Sequence, residues 1–283
     1  MHITTQVAQS SFSFGPVSVS PGGNAINVAR QLNHLGEQVE LYGIVGDDPE
    51  GMLLCAALIN EGIETAQMLV LPNQSTSRAS ILLETNNPPR VIVQTNQSSC
   101  QIEYAELNSW VNNIAHGDVV FFPAFPNYTN LLSSSEMRIA EVFVDYGYAP
   151  YADHWEEYRS GFLELIPHVD FIITCAFDYQ PYQFEFLSEA LVHARCRAVI
   201  VTFAGNGILL LTSEIIRLME TDKVESINPI GAGDSFIGAF IFFYKQGLPI
   251  EDCLYNAHQV AKWKVSQFDS LLNLEQFKQE VNQ

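Results

Sequence analysis

Basic residues are scarce. Only 13 lysines and arginines stand against 32 aspartates and glutamates, giving the 283-residue chain a formal charge of −19. So acidic a surface repels phosphate backbones and anionic lipid, which argues against nucleic acid or membrane as a partner. Any anionic ligand has to be held locally, by backbone N–H groups and a divalent cation, against an unfavourable overall field. Cysteine is sparse too: Cys55, Cys100, Cys175, Cys196 and Cys253 are odd in number, scattered, and include no C-x-x-C pair. That reads as a reduced, cytosolic protein with neither a disulfide framework nor a zinc site. The N-terminal residues M-H-I-T-T-Q-V-A-Q-S-S-F lack a basic region and a continuous apolar core, so no signal peptide is expected. The longest apolar stretch, Phe236 to Tyr244, is less than half a membrane span and reads as a buried helix. Internal repeats and low-complexity segments are lacking as well.

What is present is a core-forming composition, 47% hydrophobic, in a chain within reach of a single α/β unit over residues 1–283. Residues 2 to 20 alternate loosely and suggest short strands. From Asn24 the apolar positions Ala25, Val28, Ala29, Leu32 and Leu35 take helical spacing, with Gly36 as the stop. Val39 to Val45 reads as a strand. Asp48 and Pro49 then supply an N-cap and a first helical residue for a helix reaching Gly62. This alternation continues through strands at Asp118 to Pro123, Val142 to Tyr146, Asp170 to Thr174, Ala198 to Phe203 and Ile208 to Leu211, with a helix around Trp155 to Leu165. Helices at Asp234 to Gln246, Ile250 to Gln267 and Leu274 to Val281 close the chain. The pattern is that of a mostly parallel sheet covered by helices. One interval departs from it: Ser77 to Glu84 and Arg90 to Thr95 form a hairpin through Thr85-Asn86-Asn87-Pro88-Pro89, suited either to a small sheet with residues 8 to 20 or to an edge of the main sheet.

The richest stretch is Asn228 to Phe240, N-P-I-G-A-G-D-S-F-I-G-A-F. Gly231, Ala232 and Gly233 leave their backbone N–H groups open to a ligand at the start of a helix, where four amides are unpaired and the macrodipole is positive. A carboxylate, Asp234, sits inside this anion site. Two readings stand: Asp234 and Ser235 cap the helix, or Asp234 takes a proton from a hydroxyl that attacks a bound phosphate. No lysine or arginine lies in the loop, so backbone dipoles and Mg²⁺ are expected to carry the charge.

A second stretch, Pro21 to Gly36, reads P-G-G-N-A-I-N-V-A-R-Q-L-N-H-L-G. The pair, in this order and about two hundred residues apart, resembles the two signatures of the ribokinase-like (PfkB) carbohydrate kinase family. The resemblance covers nearly the whole chain. It implies a three-layer α/β/α, Rossmann-like core with a mostly parallel sheet. It also implies a small β-sheet lid, from about 8–20 and 77–95, that closes over the sugar and often builds a dimer contact. It implies ATP and Mg²⁺ as cofactors, and Asp234 as the base. The amides of Ala232, Gly233 and Asp234, in the turn begun by Gly231, would hold the developing charge. Gly22 and Gly23 would let the backbone approach the sugar. Asn24 and Asn27 would bind its hydroxyls, although Asn24 could equally cap the helix and Asn27 could face solvent. V-T-F-A-G-N-G resembles the family's nucleotide turn, which nominates Thr202, Gly205 and Gly207, with Ala204 in place of the first glycine. Asn256 stands where the family has an adenine-pocket asparagine.

Three departures qualify the resemblance. The family's N-x-x-E is replaced by Cys175-Ala176-Phe177-Asp178, so Asp178 either reaches Mg²⁺ through water or caps a helix. Asn228 removes a charge linked in the family to a monovalent cation, and Pro229 removes a donor, which argues against potassium activation. No aspartate precedes Asp47, so the sugar-gripping acid of the first strand is missing: either His2 to Val7 is that strand, with Ser10 or Ser11 in the acidic position, or the strand is absent. Losing such a charged acceptor costs about 1.5 to 3 kcal/mol. The reading is an ATP-dependent kinase of a primary hydroxyl on a small sugar or sugar derivative, with fructose or fructoselysine favoured by the G-G-N-A-I-N-V-A wording. Its rivals are a nucleoside kinase and a non-catalytic sugar or nucleotide sensor.

Overall fold

The structure is a computed structural model that describes residues 2–7, 17–84, 90–94, 109–123, 132, 136–148, 155–176, 190–192, 194–222, 224–267 and 271–281. In chain order its elements are β1 (His2–Val7), β2 (Val17–Ser20), α1 (Asn24–His34), β3 (Gly43–Gly46), α2 (Pro49–Asn60), β4 (Met68–Leu71), β5 (Arg78–Glu84) and β6 (Arg90–Gln94). There follow β7 (Val119–Pro123), β8 (Glu141–Tyr148), α3 (Trp155–Leu165), β9 (Phe171–Cys175), β10 (Ala198–Thr202), β11 (Ile208–Leu211) and β12 (Ile216–Met219). Three helices end the chain: α4 (Ala232–Lys245), α5 (Ile250–Val265) and α6 (Leu274–Val281). They divide between two compact units, one of residues 1–103 and 225–283, the other of residues 104–224.

The second unit carries a six-stranded sheet of order β12-β11-β10-β9-β8-β7. Strands β7 to β10 run parallel, and β11 and β12 add antiparallel neighbours. Continuous apolar runs such as Phe171-Ile172-Ile173 and Ala198-Val199-Ile200-Val201 are fully buried, as expected of parallel strands covered on both faces. Phe143 of β8 stacks on Phe171 of β9 at 4.6 Å between ring centres. The register slips between Asp145 and Tyr148, where Gly147 takes φ 70 and donates its N–H to Asp145 Oδ1 at 2.8 Å. That irregularity carries β8 past Tyr146, where the sequence pattern placed its end.

In the first unit, β2, β1, β5 and β6 make a separate four-stranded sheet. The 78–94 hairpin is antiparallel, Arg78 facing Gln94 and Leu82 facing Arg90, and it does not join the six-stranded sheet. Of the segment expected at 8–20, Val17–Ser20 joins this sheet, and residues 8–16 lie outside the described residues. His2–Val7 also joins, parallel to β5 and antiparallel to β2, so the first strand exists and belongs to the small sheet. Ser10 and Ser11 lie outside the described residues. The strand expected at Val39 to Val45 is shorter: its continuous ladder with the parallel β4 covers Gly43–Gly46, and before that only an isolated parallel bridge joins Glu40 to Glu64. Ala29, Leu41, Val45, Leu54, Leu58 and Ile63 form one buried cluster under these elements.

Local chemistry explains α2. Asp48 Oδ1 accepts the Gly51 N–H at 2.9 Å as a side-chain N-cap, and Pro49 takes the first helical position. The same carboxylate accepts the Thr76 N–H at 2.8 Å and the Thr76 hydroxyl at 2.6 Å, tying the helix start to the segment before β5. Burial opposes its ionisation, but the hydrogen bonds from Thr76 and Gly51 outweigh that and hold Asp48 below the usual carboxylate range. A depressed folded value means stability that is present above the unfolded carboxylate's titration and lost as pH falls through the folded one. Acid titration of the melting temperature should therefore show a loss at and below the usual aspartate range that is smaller in Asp48→Asn. An unchanged acid profile in that variant would remove this group from the acid response.

Helices α1, α4 and α5 form the face that positions the site. α4 is apolar almost all round, Phe236 to Phe243 being buried. It crosses α1 at Gly238, where an added Cβ would stand 3.0 Å from both Val28 O and Gln31 Cβ. Gln31, fully buried, donates its Nε2 to Leu272 O at 2.9 Å and ties residues 271–273 to α1. The four described cysteines, Cys55, Cys175, Cys196 and Cys253, are free thiols. Burial pushes the Cys196 thiol up to about 12. No helix among the described residues is long and apolar enough to cross a membrane.

Candidate active site

The two signature stretches meet where α1 and α4 begin. Residues 24, 27, 28 and 31 share one face of α1, and 234 and 238 share one face of α4. The close crossing at Gly238 therefore brings the amide side chains to the carboxylate. Asn24 Nδ2 donates to Asp234 Oδ1 at 3.1 Å, and Asn27 Nδ2 donates to Asp234 Oδ2 at 2.6 Å. Asn24 is thus no cap: the N-cap of α1 is Gly23, at φ 116, and it makes no side-chain cap bond. Asn27 does not point to solvent either. Gly22 is buried, and the Gly23 carbonyl accepts the Asn27 N–H at 2.8 Å.

The capping reading of Asp234 is corrected by α4 itself. The helix begins at Ala232 and ends at Lys245, so Asp234 is its third residue. The N-cap is Gly231, in the left-handed region at φ 76, with no side-chain cap bond. Glycine is needed there because that backbone region is costly for residues with a Cβ. The Ala232 N–H is directed back to Pro229 O at 3.2 Å, so the turn uses one of the three amides expected to face a ligand. The Gly233 amide meets no acceptor among the described residues, and Gly233 is exposed.

The approach to this turn is built by Asn228. It is buried, its Oδ1 accepts the Ile230 N–H at 3.1 Å, and its own N–H and that of Ile227 both reach Val265 O at the end of α5. The neutral amide therefore has a positional task in the turn. A small pocket opens here, lined among others by Asn27, Arg30, Asn228, Gly231, Ser235 and Lys264. Arg30 is committed to Glu61 through two 2.7 Å contacts. Lys264, by contrast, was not visible as a site residue in the sequence. It lies thirty residues beyond the loop, in an ordinary amphipathic helix, yet it is buried, with its Cε 3.9 Å from the point where a Cβ on Gly231 would sit.

The residues nominated for the nucleotide divide. Asn256, half-buried on α5, shares a unit with Asp234. Thr202, Gly205 and Gly207 belong to the other unit. Thr202 ends β10, its hydroxyl donating to Thr174 O at 3.3 Å. In the following turn the left-handed residue is Ala204, at φ 51, rather than Gly205, so Ala204 occupies the conformation that glycine favours. Gly207, at φ 128, is required by packing as well, because a Cβ there would approach Met219 O to 2.9 Å. Asp178 lies outside the described residues. Among the described residues, no group of three or more His, Cys, Asp and Glu could hold a metal ion.

The site thus sets a carboxylate at a glycine-turned helix start, clasped by two asparagines. The family of pfkB carbohydrate kinases matches residues 7–276, and the chain belongs to it; its members are phosphotransferases with an alcohol group as acceptor. Among curated relatives, the chain is 25% identical over 242 residues to "Probable fructokinase-3" of Arabidopsis thaliana, covering 78% of this chain and 68% of that one. It is also 25% identical over 272 residues to the 1-phosphofructokinase of Bacillus subtilis (strain 168), covering 92% and 86%. A crystal structure of an E. coli protein designated ribokinase II, in complex with ATP and Mg²⁺, matches with a TM-score of 0.76 at 16% identity, covering 99% of this chain and 96% of that one. The ribokinase-like fold is thereby shown, and ATP with Mg²⁺ is a pairing used within the family.

Proposed function

We propose that this protein transfers the γ-phosphoryl group of ATP to a primary hydroxyl of a small sugar or sugar derivative, fructose or a fructoselysine-like compound being favoured. The observation that carries this reading is Asp234. A carboxylate beside an anion site is electrostatically unfavourable unless it accepts a proton, and this one is oriented by Asn24 and Asn27 rather than spent on capping. Asp234 accepts the proton of the attacking hydroxyl. Asn24 and Asn27, each able to donate and accept, hold the carboxylate on one side and offer contacts to sugar hydroxyls on the other. The Gly233 and Asp234 amides at the start of α4 face the charge that develops during transfer.

Bound ATP supplies the phosphoryl group, and Mg²⁺ neutralises part of its charge. The left-handed Gly231 turn fits such a group, because it lets a phosphate approach main chain with no Cβ between. Thr202, Gly205, Gly207 and Asn256 would contact the nucleotide, and Asp178 would reach the metal through water. The four-stranded sheet of β2, β1, β5 and β6 would serve as the lid and as the contact of a homodimer.

The test is a panel of sugars with ATP, reading ADP release and thermal shift together. One sugar of the panel should give both. A sugar that shifts the melting temperature without ADP release would establish the sensor reading instead. A response confined to nucleosides would move the substrate class.

A further inference from the structure

Gln31 is fully buried, a setting that glutamine seldom occupies. One end of its amide is matched: Nε2 donates to Leu272 O at 2.9 Å, across 241 positions of chain. The other end is not. Oε1 is closed off from solvent and accepts no hydrogen bond among the described residues. An acceptor left unmet in a core costs more than one such bond returns, so a methionine of similar length would serve stability as well or better. The value of this amide lies in what it holds.

It holds a short wall. Residues 271–273 lead into α6, whose start is set by a reciprocal cap: Asn273 Oδ1 accepts the Gln276 N–H at 2.9 Å, and Gln276 Oε1 accepts the Asn273 N–H at 3.1 Å. Phe277 then packs on Phe243 of α4, with 5.0 Å between ring centres. Those ties fix the far end. On the near side Leu271, half-buried, lines the same pocket as Asn27, Gly231 and Ser235. Leu272 stands between the two, and Gln31 ties it to α1. The Gln31 stem is itself gripped by α4, since a Cβ on Gly238 would stand 3.0 Å from its Cβ and 3.2 Å from its Cγ. One face of α1 thus bears three amides with two tasks: Asn24 and Asn27 reach Asp234, and Gln31 reaches the wall.

We infer that Gln31 is a positioning residue for the acceptor sugar: its bond to Leu272 O holds Leu271 in place as a wall of the pocket. The inference rests on the phosphotransfer reading above. With that bond made, the wall is ordered before a ligand arrives, and binding does not have to supply the order. Without it, Leu271 has to be immobilised at each encounter, and affinity falls. Proton transfer is left alone, because Asn24 and Asn27 hold the Asp234 carboxylate and Gln31 does not.

The test combines two variants with kinetics and hydrogen exchange. Gln31→Met keeps the length and packing of the side chain and removes both the donor and the unmet acceptor. Its melting temperature should stay level or rise. With the sugar of the panel that releases ADP, KM for that sugar should rise about tenfold while kcat stays within about twofold. Leu271→Ala should raise the same KM by a similar factor. The double variant should be little worse than either, because both changes act through one wall. Hydrogen exchange reads the wall without any turnover. In Gln31→Met the Gln276 and Phe277 amides, which donate to Asn273, should exchange about tenfold faster, while those of α4 and α5 keep their wild-type rates.

Wild-type exchange at Gln276 and Phe277 in Gln31→Met would overturn the inference, and so would additive effects of the two substitutions on KM. A melting temperature well below that of the wild type, or a variant that does not fold, would overturn it too, since the amide would then serve the core rather than the pocket. If the wild type phosphorylates no sugar at all, the kinase reading fails by itself, and exchange at the start of α6 still decides whether Gln31 fixes the wall.

Discussion

Asp234→Asn should lower turnover by about two to four orders of magnitude, the usual range for loss of a general base. The variant keeps the size of the side chain and removes only its capacity to take a proton. Nucleotide affinity should hold or improve, because a negative charge beside the phosphate site is gone. The fold should survive, since Gly231 and not Asp234 forms the N-cap of α4. A small loss of stability is expected nonetheless. The new amide offers one acceptor and one donor to Asn24 and Asn27, whose Nδ2 groups both donate to the carboxylate in the native protein, so one asparagine has to turn its amide over. Turnover, ADP affinity and melting temperature measured on this one variant separate a base from a structural acid. Wild-type turnover would falsify the catalytic role of Asp234.

Gly46→Ala should cost about 3 kcal/mol of stability or more, a fall of roughly 6–10 °C in melting temperature. The reason is space rather than dihedral freedom. A Cβ at residue 46 would lie 2.1 Å from Gln74 O, 2.7 Å from Gln74 C and 2.8 Å from Thr76 N. All three are main-chain atoms, which cannot rotate away as a side chain can. The segment is also held by hydrogen bonds that must move together. Gly46 donates its N–H to Thr76 Oγ1 at 3.0 Å, and Thr76 in turn binds Asp48, the cap of α2. Gly51 leaves as little room, a Cβ there standing 2.4 Å from Gly46 O. Denaturant unfolding of Gly46→Ala checks the magnitude, and a loss below about 1 kcal/mol would mean that the 74–76 segment gives way more readily than this packing implies.

Much of the molecule was legible without coordinates, and for a common reason: the signals act within a few residues. Asp48 and Pro49 start α2 through a side-chain cap and a preset φ. Gly36 and Gly62 follow α1 and α2 at φ 100 and 83, the left-handed positions their spacing foretold. Alternation of apolar runs with turn residues marked the parallel strands, and the 85–89 turn signal separated the hairpin from them. The pairing of G-G-N-A-I-N-V-A with G-A-G-D pointed to the family. That G-A-G-D begins a helix was also readable, although the helix starts two residues earlier than Asp234, because a left-handed glycine can take over the cap.

Tertiary packing decided what those signals could not reach. Whether Asn24 capped its own helix or touched something else depended on the crossing of α1 and α4, which Gly238 permits and which joins residues some two hundred positions apart. Whether His2–Val7 paired, and with which sheet, depended on its register against β5. Lys264 carried no local mark at all. Its amphipathic helix would accept a lysine on the water-facing side as readily as on the buried one. Its burial is decided by Val265 O, which, bound to Ile227 and Asn228, fixes the end of α5 against the Gly231 turn.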